Sequence, residues 1–250
     1  MGNQSISIVI PAYNEETNIE DVALESLKVL QSLTNRYEVL VMNDASQDST
    51  GRILDRLAEK YSETIRVFHH LANQGTNLSL IELFRKAQYD LVFFLPADKQ
   101  ILPQSILNYL LAVQRGADIV LGWRVKRRDL LHRSFFNWLY RVATRFLLGV
   151  SFRDAAASDL YKKSILDQIP MESRGRLLQA EIAIKAASLG YKVQEIEVAH
   201  YPRKSGKQTG IKPKTIWLSF TDLIRVGPKL RRLGKAGFLK NMSFPISGNH

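Results

Sequence analysis

Three apolar runs in this chain stop abruptly at polar side chains. Ile6 to Ile10 gives way to Pro11-Ala12-Tyr13-Asn14-Glu15, and Glu38 to Met42 to Asn43-Asp44-Ala45-Ser46-Gln47-Asp48-Ser49-Thr50. Leu91 to Leu95 ends in Pro96-Ala97-Asp98, with Gln100 two residues on. Carboxylates, amides and an aromatic ring at such positions can hold a polar ligand, because open parallel sheets bind ligands at the carboxyl ends of their strands. The plain alternative is a set of strand-to-helix turns, in which Asn, Asp and Ser bond nearby backbone. Cations follow later, at Arg124 to Arg128, Arg133 and Arg203. The planar guanidinium fork suits phosphate oxygens.

The elements that must position these residues alternate. Short β-branched runs at 6–10, 38–42, 65–70, 91–95 and 118–122 read as buried strands. Helical spacing joins them at 17–33, from 48 to about 61, at 77–88 and at 104–114. Ile19, Val22, Leu27, Leu30 and Leu33 fit one face of the first helix, and Asn14 and Thr17 suit its N-cap. Pro11 should end the first strand, because it cannot donate to a ladder. Such alternation predicts an α/β fold, a mostly parallel sheet with helices on both faces. A strongly apolar helix is expected at 132–148, a loop and short strand at 154–166, a helix at 176–189 ending at Gly190, and a last strand at 193–198. Residues 1–210 read as one domain, and 211–250 as a basic, mostly helical C-terminal extension.

With 250 residues and 45% hydrophobic content the chain can bury a sizeable core. It has no cysteine, which excludes disulfides and thiol chemistry. Met1-Gly2-Asn3-Gln4-Ser5 lacks the basic start and apolar core of a signal peptide, so none is expected. No run of about 18 apolar residues occurs, so no transmembrane helix is expected. The net charge of +11 is uneven. Residues 1–110 carry 9 Lys and Arg against 14 Asp and Glu, whereas 111–250 carry 26 against 10. A basic half suits an anionic partner: nucleic acid, anionic lipid or pyrophosphate. No nucleic-acid motif accompanies the charge, so no nucleic-acid partner is expected.

The pairing of P-A-Y-N-E with V-M-N-D-A-S-Q-D-S-T resembles the family-2 glycosyltransferases of the nucleotide-sugar-binding (GT-A, Rossmann-like) fold. The nearest likeness is to the dolichyl-phosphate mannose synthases and other polyprenyl-phosphate hexosyltransferases. It runs from about residue 5 to about residue 210 and is strongest in the first hundred. The resemblance implies an inverting transfer of a hexose from a UDP- or GDP-sugar to an acceptor. It also implies a nucleotide-sugar site built from Pro11, Tyr13, Asn14, Glu15, Asp44, Ala97, Asp98 and Arg203.

Pro96-Ala97-Asp98 stands where the family carries Asp-x-Asp, whose carboxylates hold a divalent cation, Mg²⁺ or Mn²⁺, against the pyrophosphate. This chain keeps the second carboxylate and has proline at the first. Asp98 and Gln100 are the expected metal ligands, with weakened binding. Gly122-Trp123-Arg124 resembles the family's Gly-Ser-Arg, and Arg203 with Gly206 a late basic loop. Asp98, Arg124, Arg133 and Asp154 are the expected catalytic residues. An alcohol acceptor requires a carboxylate base, for which Asp154, Asp159 and Glu181 are candidates; a phosphate acceptor requires none.

The expected acceptor is a lipid phosphate of polyprenyl type. Two basic, aromatic-rich stretches, 132–148 and Trp217 to Arg232, suit an anionic membrane surface. The expected location is peripheral, at the cytoplasmic membrane face. Two alternatives stay open: transfer to a sugar or other alcohol, and a nucleotide-sugar-binding protein impaired in catalysis by Pro96. The sugar, the base and the oligomeric state stay open as well.

Overall fold

A computed structural model describes residues 4–124, 157–202, 213–233 and 242–243. Two compact units divide the chain. The first takes Met1–Leu110, Ser158–Gln168 and Tyr201–Gln208; the second takes Leu111–Ala157, Ile169–His200 and Thr209–His250.

In the first unit, strands β1 (Ile6–Ala12), β2 (Tyr37–Asn43), β3 (Ile65–His69), β4 (Leu91–Phe94) and β6 (Asp159–Lys162) lie in the order β3-β2-β1-β4-β6. Helices α1 (Ile19–Leu33), α2 (Thr50–Lys60) and α3 (Thr76–Lys86) connect the first four, which pair parallel, with Ala12 opposite Asn43 and Val9 opposite Phe94. Ile8, Val9 and Ile10 are fully buried, as are Val39 to Val41, so both faces of these strands are covered. β1 runs one residue past Pro11, which costs the ladder only a donor; Asp44 N–H still bonds Ala12 O at 2.9 Å. The first helix begins at Ile19, with Asn18 at its N-cap rather than Asn14 or Thr17, and Leu33 is only half-buried.

The short strand expected within 154–166 is β6. It pairs antiparallel to β4, with Phe94 opposite Asp159, and leads into α5 (Lys163–Gln168). Tyr109, on α4 (Ile106–Gln114), packs edge-on against Phe93 at 4.9 Å and donates to Ser158 O at 2.8 Å. Tyr161 packs edge-on against Phe84 and donates to Asp159 Oδ2 at 3.0 Å. Burial, with the Asp159 carboxylate nearby, pushes both phenols well above their ordinary pKa.

The second unit holds β5 (Ile119–Arg124), β7 (Val193–Val198) and β8 (Met242–Ser243), paired parallel, with Gly122 opposite Ile196. Helix α6 (Leu178–Ser188) is buried along most of its length. Gly190 follows it at φ +94°, as a C-terminal glycine should. The tail contributes α7 (Pro213–Arg225) and α8 (Gly227–Leu233). These helices are built into the unit: Leu223, Val226 and Leu230 are buried. Asp222 Oδ2 accepts the Arg174 and Gly175 amides at 3.0 and 2.6 Å, and Ser219 Oγ accepts Arg176 N–H at 3.1 Å. Gly175 lies against the α7 backbone so closely that a Cβ there would meet Ser219 N at 2.5 Å. Glu181 grips the same segment from α6 through the amides of Glu172 and Ser173. Lys185 neutralises it, with Nζ 2.5 Å from Glu181 Oε1 and 2.8 Å from Glu172 Oε2.

Candidate functional site

The carboxyl ends of β1 to β4 share one edge of the first unit, because the four strands are parallel. Two loops there are stitched together by reciprocal side-chain bonds. Asn14 N–H donates to Ser46 Oγ at 3.0 Å, and Gln47 N–H returns a bond to Asn14 Oδ1 at 2.8 Å. Glu16 N–H donates to Asp48 Oδ2, and Ser49 N–H to Glu16 Oε2. Glu15 N–H reaches Thr50 Oγ1 at 2.8 Å. Asn14 and Ala45 stand at φ 55° and 58°, left-handed conformations that carry the chain round the rim. The side-chain oxygen of Asn14 is therefore committed to the rim. Glu15 is buried and turned onto Asn18 Nδ2 at 2.8 Å. Pro11 and Tyr13 are half-buried beside it.

Asp44 is the hub of this edge. Its side chain is 4% exposed. Oδ1 accepts Gln74 N–H at 2.7 Å and lies 2.7 Å from His70 Nδ1, while Oδ2 accepts Gly75 N–H at 2.8 Å. Asn73 Nδ2 donates to the Asp44 carbonyl at 3.2 Å. One carboxylate thus gathers the whole segment after β3. Gly75 has φ +94°, a conformation open to glycine and strained for other residues, which aims its amide at Asp44. Sequence reasoning placed His70 at the end of the third strand and gave neither it nor the residues after it a role. The histidine tandem His69-His70 at a strand end was the available signal.

The fourth loop carries Asp98. Its Oδ1 accepts Gln100 N–H at 3.1 Å in a tight turn, and Oδ2 has no partner among the described residues. Lys99 takes φ 58° at the crest and is tied back to α1, with Nζ 2.6 Å from Asp21 Oδ2. That bond to Asp21 raises the Lys99 pKa. Gln100 exchanges bonds with Tyr201: Tyr201 N–H donates to Gln100 O at 2.9 Å, and Gln100 Nε2 lies 3.4 Å from Tyr201 O. Tyr201 therefore lies beside the Asp98 turn. Among the described residues no group of three or more His, Cys, Asp or Glu could enclose a metal ion. Asp98 suits a hard cation that takes its other ligands from phosphate and water, since Mg²⁺ is commonly held by one or two carboxylates.

Structure thus brings Pro11, Tyr13, Asn14, Glu15, Asp44, Ala97, Asp98 and Gln100 to one edge of one unit. Arg124 ends β5 and belongs to the other unit. Arg133, Asp154, Arg203 and the helix expected at 132–148 lie outside the described residues. Two candidate bases are corrected. Asp159 is 1% exposed and bonded by Tyr161, and Glu181 is fully buried in its Lys185 pair. Neither can reach an acceptor from solvent.

Comparison with known proteins places this geometry. The profile described as Glycosyl transferase family 2 matches residues 7–169. Undecaprenyl-phosphate 4-deoxy-4-formamido-L-arabinose transferases are similar along most of the chain. That of Pseudomonas fluorescens (strain Pf0-1) is 28% identical over 93% of this chain and 68% of its own length. That of Pseudomonas syringae pv. syringae is 29% identical over 93% and 69%. Among solved structures, glucosyl-3-phosphoglycerate synthase from Mycobacterium tuberculosis, in complex with Mn²⁺, UDP-glucose and phosphoglyceric acid, superposes with a TM-score of 0.66. It covers 90% of this chain and 80% of that one at 18% identity, a likeness of fold. The chain has the GT-A fold, belongs to glycosyl transferase family 2 and is a glycosyltransferase.

Proposed function

We propose that the protein transfers a hexose or related sugar from a UDP- or GDP-sugar to a polyprenyl phosphate at a membrane surface, with inversion. The observation that carries this reading is the similarity, over 93% of the chain, to transferases named for undecaprenyl phosphate. The structural neighbours' UDP and Mn²⁺ support a nucleotide-sugar donor and a divalent cation. In this reading Asp44, with Pro11 and Tyr13, receives the base, and the rim from Asn14 to Thr50 holds the nucleoside.

An acceptor phosphate oxygen attacks the anomeric carbon. The new C–O bond forms as the bond to the β-phosphate breaks, and the nucleoside diphosphate leaves from the opposite face. The acceptor is an anion at neutral pH and needs no base, and two of the candidate bases, Asp159 and Glu181, are buried and paired. Asp98, through its open Oδ2, would hold the cation, with Gln100 as a neutral neighbour. Such an ion neutralises charge on the departing pyrophosphate. Arg124, Arg133 and Arg203 are assigned to phosphate contacts on residue type and motif resemblance, and Asp154 to the acceptor side on the same ground.

A membrane role is supported by α7. Trp217, Phe220 and Ile224 are 69%, 61% and 68% exposed and follow helical spacing along one face. Arg225 ends that helix, and Lys229, Arg231 and Arg232 follow on α8. An apolar stripe edged by cations suits peripheral contact with anionic lipid, at the cytoplasmic face where the acceptor phosphate would lie. Among the described residues no helix is long and apolar enough to cross a membrane.

Liposomes containing undecaprenyl phosphate, labelled UDP- and GDP-sugars and Mg²⁺ test the reading. Lipid-linked product is expected, with none from the free alcohol undecaprenol. Equal transfer to undecaprenol, or transfer only to soluble sugars, would show that the acceptor is an alcohol.

A further inference from the structure

We propose that His70 sets which base the donor site accepts: by holding Oδ1 of Asp44 it leaves that carboxylate able to receive one base N–H, which selects uracil over guanine. This rests on the donor-site reading above. Asp44 is 4% exposed, so its acceptor positions can be counted against its protein partners. A carboxylate offers about four. Two on Oδ1 are filled by Gln74 N–H and His70 Nδ1, both at 2.7 Å, and one on Oδ2 by Gly75 N–H at 2.8 Å. Among the described residues the remaining position is on Oδ2.

A carboxylate only accepts, so His70 must carry a proton on Nδ1 to sit 2.7 Å from Asp44 Oδ1. The ring is held there: its side chain is 10% exposed, its backbone N–H bonds Asn43 O at 2.9 Å, and its buried Nε2 lies 3.4 Å from Glu82 Oε1 without hydrogen-bond alignment. Uracil presents one N–H, at N3, between two carbonyls. Guanine presents two adjacent donors, N1–H and the N2 amine, and reads a carboxylate by engaging both oxygens. With Oδ1 filled, one guanine donor stays unpaired on binding, a penalty of roughly tenfold or more in affinity. His70 is thus a positioning residue. It touches no substrate and acts through Asp44.

Titration calorimetry of the full chain in Mg²⁺ with UDP, GDP and N3-methyl-UDP tests this on wild type, His70→Leu and His70→Asn. Wild type should bind UDP at least about tenfold more tightly than GDP, and N3-methyl-UDP weakly. His70→Leu should lower the UDP-to-GDP preference several-fold while leaving N3-methyl-UDP affinity unchanged, since that ligand never used the carboxylate. His70→Asn, whose amide nitrogen replaces Nδ1, should keep the wild-type preference. A merely structural role would weaken all three ligands alike. A wild type that prefers GDP, or a folded His70→Leu with the wild-type preference, overturns the inference and leaves the donor site standing. Wild type binding neither nucleotide overturns the donor-site reading, and this inference with it. Should His70→Leu fail to fold, wild-type binding of N3-methyl-UDP as tight as UDP, or loss of preference in His70→Asn, would still overturn it.

Discussion

Asp44→Ala should damage the fold as well as the donor site, and the two losses can be separated. Removing the carboxylate strips the acceptor from three donors: His70 Nδ1–H, Gln74 N–H and Gly75 N–H. Each donor left unpaired costs about 1–3 kcal/mol. These bonds are only partly buried, so water can reach some of the donors and the lower end applies, for a total of about 3 kcal/mol. At this chain length that lowers Tm by roughly 6–12 °C. Asp44→Asn should cost less, about 1–2 kcal/mol, because its one oxygen can serve Gln74 while its amide nitrogen faces the Gly75 N–H. Urea unfolding followed by circular dichroism measures the fold term. Calorimetry well below the variants' melting range measures nucleotide affinity, which should fall by a further 1–3 kcal/mol, about the cost of one lost buried hydrogen bond. An Asp44→Ala protein within about 0.5 kcal/mol of wild-type stability would refute the view that this carboxylate organises the 70–75 segment, since that is the change expected at an uninvolved surface site.

Other outcomes follow from the same bonds. Asp98→Asn should abolish Mg²⁺-stimulated nucleotide binding and Pro96→Asp should strengthen it, both read by calorimetry with and without chelator; chelator-insensitive wild-type binding would remove the metal role. Gly175→Ala should cost about 1–3 kcal/mol or more in urea unfolding, because the added Cβ would meet helix backbone at Ser219 and not a yielding side chain; a neutral substitution would disprove the tight seating of α7. Lys185 first, then Lys229, hold the Glu172 pKa below the ordinary 4.5. Its contribution to stability is therefore present above that value and lost as pH falls through the lowered one. Glu172 is 41% exposed, so screening keeps the effect small. Melting of Glu172→Gln from pH 6 to pH 3 should fall less steeply than wild type, and parallel curves would contradict this.

The edge proposed to hold the donor was legible in the sequence as an edge because its signals are local. Each of Pro11–Glu15, Asn43–Thr50 and Pro96–Gln100 is a polar stretch that ends an apolar run, and a parallel sheet brings such ends to one side. What escaped depends on partners distant in sequence. His70 meets Asp44 across 26 residues, and the histidine tandem at 69–70 marks the place without naming the partner. The four-residue β6 pairs antiparallel to β4 with Phe94 opposite Asp159, a register that no period within 154–166 encodes. The tail read as an appended extension because its charge sets it apart. Its integration rests on Asp222 and Ser219 reaching amides 43 to 48 residues earlier.

The same distinction separates scaffold carboxylates from chemical ones, which residue type alone cannot do. Glu38 accepts Ser7 Oγ–H, Gln88 N–H and Arg66; Glu181 accepts two amides and Lys185; Asp222 accepts two amides. Each ties separate segments of the chain together, and each is nearly inaccessible. Asp98 is different. Among the described residues it takes one bond, from its own turn, and keeps Oδ2 open; the turn is held to α1 through Lys99. A carboxylate that spends little on the fold, on a turn that is itself anchored, has charge to offer a ligand. Losing the companion carboxylate at Pro96 lowers the negative charge of that turn. It also makes Asp98 the acidic position there through which a cation would be recruited to the leaving pyrophosphate.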